Sequence, residues 1–301
     1  MDRDEFLEKI ERINVWQRRG ERAPHKPLLL LLALGRILRM EDRLVPYIQI
    51  EPRLTDLLKN FGPPRRARHP EFPFGRLPAD GLWEIPGSET LYRTASGDLR
   101  VRDLRERGLQ GGFPGPLYDL LRNRPELGRE AAQRLLDGHF PESLHDEIRD
   151  AVGIPRTWVV RDAPLPPRRD PAFRDDVLRE YQRRCAICDF DVRLGNELIG
   201  LEAAHIKWHA AGGPDEVANG LALCGLHHKA FDRGALGLEP IESGGYRVLV
   251  SSEVHGLSAP VRWFLDYHDS PLRAPRDTCL GPDPRFVKWH EKEVFRRPAL
   301  T

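Results

Sequence analysis

Apolar side chains recur at the three- and four-residue steps of an α-helix along much of the first half of the chain. The pattern predicts an amphipathic helix over residues 3–18 and several helical pieces over 100–153. A second helix is expected from Pro24 to about Met40, through an uninterrupted run of leucines. The apolar face of the first helix consists of Phe6, Ile10, Ile13 and Trp16. The first half of the chain is therefore expected to be mainly helical.

Two stretches of this half depart from the helical pattern. Residues 44–50 are rich in β-branched and aromatic side chains, which predicts a short strand, and a short helix is expected over 53–61. Residues 62–88 are dense in proline and glycine, and these residue types disfavour a helix. Within that stretch the segments FPFGRL and GLWEI are expected to pair as a β hairpin around the turn PADG.

A change of composition marks the middle of the chain. The stretch GIPRTWVVRDAPLPPRRDP is rich in proline and arginine and has little helical or strand periodicity after Val160. Such composition is typical of a linker between domains. At 301 residues the chain is long enough for two domains, each with its own hydrophobic core. The predicted organisation is a first domain at 1–155, a linker at 156–171 and a second domain at 172–301.

The second domain is expected to mix helices and strands. A helix should follow the linker, with an apolar face made of Phe173, Val177, Leu178 and Tyr181. The apolar stretch LIGLEAAHI predicts a strand that ends near His205, and a helix is expected to begin near Cys224. Farther along, residues 245–251 predict a strand and residues 284–295 a helix.

Two pairs of metal-binding residues lie in the second domain. Cys185 and Cys188 have C-x₂-C spacing, and Cys224 and His227 repeat it as C-x₂-H. A gap of two residues lets both side chains of a pair reach one tetrahedral ion, so the four residues form a candidate structural zinc site. The alternative, a buried thiol pair with unrelated histidines, accounts poorly for so much coincident spacing.

A second set of polar residues lies within and beside this zinc-binding segment. The order of His205, Asn219 and His228 resembles the HNH endonucleases, a family of ββα-metal nucleases. The resemblance implies that Asn219 holds the active-site loop and orients the histidine, and that His228 binds a catalytic divalent ion. His205 suits the role of general base, because a neutral imidazole near pH 7 can accept a proton from water.

Geometry nominates two carboxylates as further ligands of the catalytic ion. Asp232 follows His228 by four residues, so the two side chains share one face of a helix. The sequence departs from the common HNH form at Ala204, where many relatives carry a ligand. In a strand Glu202 faces the same side as Ala204 with a longer reach, so it is expected to supply an oxygen; the alternative is a solvated surface carboxylate. Carboxylate and imidazole ligands suit Mg²⁺ or Mn²⁺.

Three segments of the first domain resemble the sulfur-binding domain of McrA-type restriction endonucleases, which recognise phosphorothioated DNA. They are APHKPLLLLLALGRI at 23–37, RARHPEFPFGRLPADGLWEI at 66–85 and LQGGFPGPLYDLL at 109–121. Together with the HNH part, the resemblance covers nearly the whole chain, with both domains in the same order. It implies that His25 and Lys26 contact DNA and that Phe72 and Pro73 form the cup for the sulfur atom.

The chemistry of a phosphorothioate fits the composition of these segments. Sulfur is larger, more polarizable and less strongly hydrated than the oxygen that it replaces, so it enters a rigid apolar pocket at lower cost. Aromatic rings and prolines supply such walls, and His69 is a further candidate. Cations must meet the backbone charge, and the candidate arginines are Arg68, Arg76, Arg93 and Arg100. The alternative for each residue is an ordinary place in the core or on the solvated surface.

Composition excludes some classes of protein and leaves others open. The strong apolar run at 27–35 is too short to cross a bilayer and lacks a signal-peptide cleavage pattern, so no membrane partner is expected. Cysteine is scarce, and Cys279 stands outside the metal pattern, which argues against a disulfide framework and favours a reducing cytoplasm. A net charge of +1 neither indicates nor excludes binding to nucleic acid.

These observations predict an α+β protein: a mainly helical DNA-binding domain with a short β hairpin, linked to a zinc-stabilised ββα-metal HNH nuclease domain. The expected cofactors are structural Zn²⁺ and catalytic Mg²⁺ or Mn²⁺. The expected function is modification-dependent (type IV) restriction, in which the protein binds phosphorothioated double-stranded DNA and hydrolyses nearby phosphodiester bonds. A homodimer is expected, because cutting both strands requires two active sites or two visits. The alternatives are an HNH endonuclease that recognises another modification or DNA shape, and a zinc-stabilised DNA-binding protein without catalysis.

Overall fold

The computed structural model of the protein describes residues 1–13, 21–155 and 171–301. The chain divides into two compact units, Met1–Pro166 and Pro167–Thr301. The predicted linker at 156–171 lies outside the described residues except at Pro171, and Trp16 of the first predicted helix also falls outside them. No helix in the three described ranges has the length and apolarity that a membrane crossing needs.

The first unit is mainly helical, as predicted. Its α-helices are α1 (Arg3–Glu11), α2 (His25–Leu38), α3 (Tyr47–Phe61), α4 (Glu71–Arg76), α5 (Val101–Glu106), α6 (Gly115–Asn123), α7 (Pro125–His139) and α8 (His145–Val152). Short 3₁₀ turns occupy Leu77–Asp80 and Glu142–Leu144. One antiparallel pair joins β1 (Val45–Pro46) to β2 (Gln110–Gly111).

Helix α2 forms the centre of this unit. Its fully buried leucines are Leu28, Leu29, Leu30, Leu31 and Leu34. A helix that is apolar on all sides is buried on all sides, and α2 packs against α3, α4, α6, α7 and α8. Gly35 lets α8 approach closely, because a Cβ there would lie 2.1 Å from the carbonyl oxygen of Val152. The predicted helix from Pro24 to about Met40 is confirmed as α2.

Helix α1 is shorter than the sequence pattern suggested. The side chain of Asp2 caps its start by accepting a hydrogen bond of 2.9 Å from the backbone N–H of Glu5. The helix ends at Glu11, so the expectation of helix through residues 12 and 13 is wrong. Ile13 is nevertheless buried, which shows that the apolar pattern extends past the end of the helix.

The strand predicted at 44–50 is confined to two residues, because α3 begins at Tyr47. The buried side chains of α3 fall at helical steps: Tyr47, Ile50, Leu54, Leu57, Leu58 and Phe61. The helix expected over 53–61 therefore begins six residues earlier, with Pro52 inside it. Packing of one long apolar face outweighs the local cost of the proline, since helices in proteins are stabilised mainly by tertiary contacts.

The predicted β hairpin of the first domain is wrong. Its first segment and the PADG turn form α4 and the 3₁₀ turn that follows it. Pro73 and Pro78 each lie in the first turn of their element, where the backbone N–H groups have no intrahelical partner, so proline is tolerated there. The segment GLWEI instead joins a distant part of the chain, through an antiparallel bridge between Glu84 and Gly112.

The second unit combines short helices with antiparallel strand pairs, in agreement with the predicted α+β class. Its α-helices are α9 (Pro171–Glu180), α10 (Gly225–Asp232), α11 (Ala259–Leu265) and α12 (Pro284–Glu293). Its strands pair as β3 (Arg193–Leu194) with β4 (Glu197–Leu198), β5 (Leu201–His205) with β6 (Gly220–Cys224), and β7 (Leu236–Pro240) with β8 (Tyr246–Val250). Short 3₁₀ turns occupy His209–Ala211, Val217–Asn219 and Thr278–Leu280.

A ββα segment, β5–β6–α10, carries the polar residues of this unit. Its register pairs Leu201 with Cys224 and His205 with Gly220. Helix α10 follows β6 directly, with Cys224 as its N-cap residue. Helix α9 packs against both strands, and a Cβ at Gly220 would lie 2.4 Å from a methyl carbon of Val177, so glycine permits this close contact. The predicted strand ending near His205 and the predicted helix beginning near Cys224 are confirmed.

The other elements predicted for this unit are also present. The residues predicted on one face after the linker are buried: Phe173, Val177, Leu178 and Tyr181. Strand β8 confirms the strand predicted at 245–251, and α12 confirms the helix predicted at 284–295. Helix α12 contacts α10 through the buried ring of His290, which stacks on Phe231 with 3.7 Å between centroids.

Candidate functional site

The four residues of the predicted zinc site lie together in the second unit. Cys185 and Cys188 belong to the loop after α9, whereas Cys224 caps α10 and His227 lies in its first turn. Their ligand atoms all lie within 4.8 Å of one another. The Nδ1 atom of His227 is 3.6 Å from the Sγ of Cys185 and 3.3 Å from that of Cys224, and the Sγ atoms of Cys188 and Cys224 are 3.9 Å apart.

These distances fit a tetrahedral zinc ion. With Zn–S bonds of about 2.3 Å and Zn–N bonds of about 2.0–2.1 Å, neighbouring ligand atoms are separated by roughly 3.5–3.8 Å. Burial opposes a positive charge on His227, but hydrogen bonds to Cys185 and Cys224 outweigh it and raise the pKa of the ring to about 9. Hydrogen bonds from Cys188 and Cys224 lower the pKa of the Cys185 thiol, as expected for a cluster that shares its protons.

Aromatic rings fix the orientation of His227. Its Nε2 atom is buried and, among the described residues, has no hydrogen-bond partner. The ring lies between Trp263 and Phe264 of α11 and Tyr267, with centroid distances of 5.5, 5.7 and 5.2 Å. Tyr267 meets the imidazole edge-on, at 87°, an arrangement in which an N–H group can point at a ring face. The packing therefore keeps Nδ1 turned toward the cysteines.

His205 ends strand β5 and is held on two sides. Its ring stacks on Phe173 of α9, with 4.2 Å between centroids and 16° between planes. Its Nε2 atom lies 2.7 Å from Oδ1 of Asp215, a residue of the loop between β5 and β6. The residue as a whole is 7% exposed. An imidazole hydrogen-bonded to a carboxylate and stacked on a ring has one fixed orientation, as a general base requires.

Asn219 clamps the loop between β5 and β6. Its Oδ1 atom accepts a hydrogen bond of 2.8 Å from the backbone N–H of Lys207. Its Nδ2 atom donates to the carbonyl oxygens of Lys207 at 3.0 Å and Pro214 at 2.9 Å. A Cβ at Gly213 would lie 1.8 Å from the Lys207 carbonyl oxygen, so glycine is needed where the two ends of the loop meet. The side-chain amide thus closes the loop that carries Asp215.

His228 lies between the two carboxylates predicted to share an ion with it. Its Nδ1 atom is 2.5 Å from Oε2 of Glu202 on β5, and its Nε2 atom is 3.2 Å from Oδ2 of Asp232. Burial opposes the charged ring, but Asp232 and then Glu202 outweigh burial and raise its pKa to about 9. The Glu202 side chain is 51% exposed, whereas that of Asp232 is 2% exposed. The three residues are brought together, with the carboxylates at opposite nitrogens of the ring.

Five residues predicted to contact DNA form a cluster in the first unit. His25 begins α2, and its Nε2 atom lies 3.0 Å from the carbonyl oxygen of Arg68. The ring of His69 stacks on Phe72 with 4.5 Å between centroids, and the guanidinium carbon of Arg76 lies 4.3 Å from the centroid of the same ring. Burial lowers the pKa of His25, and the charges of His69 and Arg76 lower it further. We call His25, Arg68, His69, Phe72 and Arg76 the Phe72 cluster.

Two aspartates hold cations of this region. Arg76 donates from Nε and Nη2 to the carboxylate of Asp98 at 2.5 and 2.7 Å, and this contact lowers the pKa of Asp98. Lys26 donates from Nζ to Oδ2 of Asp80 at 2.6 Å, and the two side chains are 14% and 9% exposed. Lys26 is therefore paired within the protein, whereas Arg76 keeps a side chain that is 44% exposed.

The other predicted DNA contacts lie in different surroundings. Pro73 is buried in α4, directly after Phe72 in sequence. Arg93 is exposed and donates from Nη1 to the carbonyl oxygen of Gly97 at 3.0 Å. Arg100 is exposed, with its guanidinium carbon 4.1 Å from the ring centroid of Tyr92. Neither arginine is seen to contact the ring of Phe72.

Comparison with known families accounts for both units. Residues 3–157 match the ScoMcrA-like DNA sulfur-binding domain, and this match covers more than half of the chain. The protein belongs to the ScoMcrA-like DNA sulfur-binding family. Residues 185–239 match the HNH endonuclease family. The chain is therefore an HNH endonuclease with an N-terminal sulfur-binding domain, and both resemblances expected from the sequence are confirmed.

Solved structures similar to the chain include relatives bound to DNA. The sulfur-binding domain of ScoMcrA complexed with phosphorothioated DNA is 25% identical, with a TM-score of 0.45, and the match covers 50% of this chain and 95% of that one. The corresponding domain of SprMcrA, also complexed with phosphorothioated DNA, is 24% identical, with a TM-score of 0.45, over 51% of this chain and 95% of that one.

A longer structure also resembles the chain. The type IV phosphorothioation-dependent restriction endonuclease ScoMcrA is 19% identical, with a TM-score of 0.43, and the match covers 81% of this chain but 49% of that one. The chain thus spans about half the length of ScoMcrA. No curated protein gives a significant match.

Three aspartates that contact predicted site residues were not predicted from the sequence. In the HNH domain Asp215 contacts the candidate base, and in the sulfur-binding domain Asp80 and Asp98 hold Lys26 and Arg76. Asp215 had a weak local signal, since it lies four residues before Asn219 in the segment GGPDEVAN. Asp80 and Asp98 lie 54 and 22 residues from their partners, so no spacing pattern identifies them.

Proposed function

We propose that the protein is a phosphorothioation-dependent restriction endonuclease, in which residues 1–155 bind modified duplex DNA and residues 172–301 cut it. The observation that carries this proposal is the Phe72 cluster, an aromatic ring contacted by the guanidinium of Arg76 and stacked on His69, in a chain of the sulfur-binding family. The HNH domain supplies a hydrolytic site in the same polypeptide. The enzyme works in the cytoplasm, where its cysteine ligands stay reduced.

The Phe72 cluster suits a charged group that carries one soft atom. The ring of Phe72 offers a rigid apolar wall to the sulfur, while Arg76 offers donors to the remaining oxygens. An ordinary phosphate oxygen at the same wall would lose hydrogen bonds to water, at a cost of about 1–3 kcal/mol in proteins. Asp98 binds the Arg76 guanidinium through Nε and Nη2, so the Nη1 group can donate to a phosphate oxygen.

Sulfur recognition is expected to appear as a difference in affinity between two duplexes of one sequence. At fixed salt, the phosphorothioated duplex should bind about 10–100-fold more tightly than the unmodified one, the equivalent of the oxygen desolvation cost. Phe72→Ala should reduce this ratio toward one, whereas Ile48→Ala, an exposed apolar residue of the same unit, should keep it. Fluorescence competition titrations measure both ratios, and equal affinities for the two duplexes in the wild-type protein would rule out sulfur recognition.

In the HNH domain, His205 accepts a proton from a water molecule as the water oxygen forms a bond to phosphorus. The bond from phosphorus to the 3′ oxygen breaks, and that oxygen leaves with the electron pair and takes a proton from solvent. The products are 5′-phosphate and 3′-hydroxyl ends. A bound Mg²⁺ or Mn²⁺ supplies electrostatic stabilisation of the charge that develops on the phosphate and leaving oxygens. Asn219 keeps the loop of the site closed.

Glu202 and His228 are the residues that would hold this ion. The two carboxylates lie at opposite nitrogens of the His228 ring. An ion bound to Nδ1 would therefore have Glu202 as its second ligand, whereas an ion bound to Nε2 would have Asp232. The scissile phosphate must reach the ion, and the side of the ring that bears the half-exposed Glu202 is open to it. Buried Asp232 then orients His228 through the second nitrogen, a common arrangement for a metal-binding histidine.

The two carboxylates are expected to differ in their effect on metal binding. In zinc-loaded protein, Glu202→Gln should weaken Mn²⁺ binding by roughly 100-fold, because it removes a ligand, whereas Asp232→Asn should weaken it by about 10-fold. Mn²⁺ titrations followed by electron paramagnetic resonance give both affinities. The reverse order, with Asp232→Asn the more damaging, would place the ion on the Nε2 side.

Cleavage of both strands requires two active sites or two visits by one site. We propose the arrangement with two active sites, in which two copies of the chain act on one duplex. Sedimentation of the protein with and without phosphorothioated duplex measures the number of copies bound. A single copy that still cuts both strands would favour successive visits.

A further inference from the structure

The loop between β5 and β6 brings a carboxylate to the candidate base of the HNH domain. Asp215 Oδ1 lies 2.7 Å from Nε2 of His205, within the range of a charge-assisted hydrogen bond. The Asp215 side chain is 21% exposed and that of His205 is 6% exposed, so the contact is largely shielded from water. A carboxylate at this distance fixes which ring nitrogen carries the proton.

The position of Asp215 is determined by the rest of the site. Asn219 donates to the carbonyl oxygen of Pro214, the residue directly before Asp215, at 2.9 Å. The same amide binds both backbone groups of Lys207, two residues after His205. The two ends of the loop are therefore tied to one side chain, and Asp215 is presented to the end of β5. Phe173 stacks on the imidazole and prevents it from turning away.

We propose that Asp215 is a positioning residue for His205, presented to the ring by the loop that Asn219 closes. The inference rests on the proposed role of His205 as the base. The carboxylate accepts the Nε2–H of the neutral ring, so the lone pair lies on Nδ1, and Nδ1 takes the proton from water. The carboxylate then stabilises the imidazolium that forms, as in the Ser-His-Asp arrangement of unrelated hydrolases.

The charged surroundings of His205 allow a specific test. Asp215 is the carboxylate in contact with its ring, and His209 is a titratable ring nearby, with 5.9 Å between centroids. Asp215→Asn keeps the size of the side chain but removes the negative charge that favours the imidazolium. The pKa of His205 should fall, and the acidic limb of the cleavage rate profile should move to lower pH. A residue with only a structural role would leave that limb in place.

The experiment measures single-turnover cleavage of a phosphorothioated plasmid with Mn²⁺ across a pH series. Asp215→Asn should reduce the rate at pH 7 by roughly 100-fold or more, and Asp215→Glu should recover part of the loss. Glu216→Gln, an exposed carboxylate in the next position, should behave as the wild type. Selective ¹⁵N-histidine spectra should show His205 protonated at Nε2 in the wild type and a changed tautomer balance in Asp215→Asn.

The outcomes separate this inference from the proposed function. If His205→Ala cleaves at the wild-type rate, the base assignment itself is wrong. If His205→Ala is inactive while Asp215→Asn retains the wild-type rate, pH limb and tautomer, the role of Asp215 is overturned and the proposed nuclease mechanism stands. If Asp215→Asn does not fold, Asp215→Ser takes its place, because it also removes the carboxylate, and a wild-type rate, acidic limb and tautomer in that variant would overturn the role.

Discussion

Cys188→Ser is expected to lose the structural zinc ion and to destabilise the second unit strongly. Cys188 joins the loop after α9 to Cys224 at the start of α10, so one ion ties the core helix of the unit to a loop distant in sequence. Structural zinc contributes about 10–16 kcal/mol of apparent binding free energy in small zinc-binding peptides. Losing even a few kcal/mol lowers the melting temperature of a domain of this size by roughly 10 °C or more.

Cys279→Ser is the matched control for this variant. Cys279 is an exposed free cysteine outside the metal set, so its replacement should change neither zinc content nor melting temperature. Elemental analysis should find one zinc ion per chain in the wild type and in Cys279→Ser, and less than that in Cys188→Ser. If Cys188→Ser had the same melting temperature as the wild type, the four-residue cluster would not stabilise the unit.

His205→Ala is expected to abolish DNA cleavage while leaving the fold and the zinc intact. Removing a general base typically costs about 10²–10⁴-fold in rate. The side chain packs against Phe173 at the end of β5 opposite to the end that pairs with Cys224, so zinc content should be unchanged. Plasmid nicking with Mn²⁺, together with zinc analysis, measures both properties. Affinity for phosphorothioated duplex should also be unchanged, because the Phe72 cluster belongs to the other unit.

His209→Ala tests whether the effect belongs to His205 itself. The ring of His209 lies 5.9 Å from that of His205 and is exposed, so it is the neighbouring imidazole most able to take over the role of base. We expect His209→Ala to retain most of the cleavage rate. If His209→Ala lost most of the cleavage rate while His205→Ala cleaved normally, His209 would be the general base.

The Cys₃His set was predictable from the sequence because its pairs are local. Cys185 and Cys188, and likewise Cys224 and His227, are separated by two residues, and so short a span can bring two ligands to one ion. Helices α9 and α12 were predictable for a similar reason, since apolar residues at helical steps must share one face. Such relations depend on covalent geometry and need no knowledge of the rest of the chain.

The segment from residue 71 to residue 80 shows where local rules fail. Its prolines suggested a hairpin, but Pro73 and Pro78 lie in first turns that can accept them, and the segment is helical. Packing made the choice, since Phe74 is fully buried with its ring edge-on to Tyr47 and Trp83. Packing also extends α3 through Pro52, because its apolar face outweighs the local effect of one residue.

The amino-acid sequence alone determined the family, through whole segments that resemble it, and the Cys₃His set and most helices, through residue types at short spacings. The tertiary structure decided which aspartates contact His205 and Arg76. Asp215 meets His205 and Asp98 meets Arg76, across 10 and 22 residues. Such pairs form when packing folds distant segments together, and no short-range periodicity encodes them. The orientation of the His205 ring is therefore a property of the folded chain.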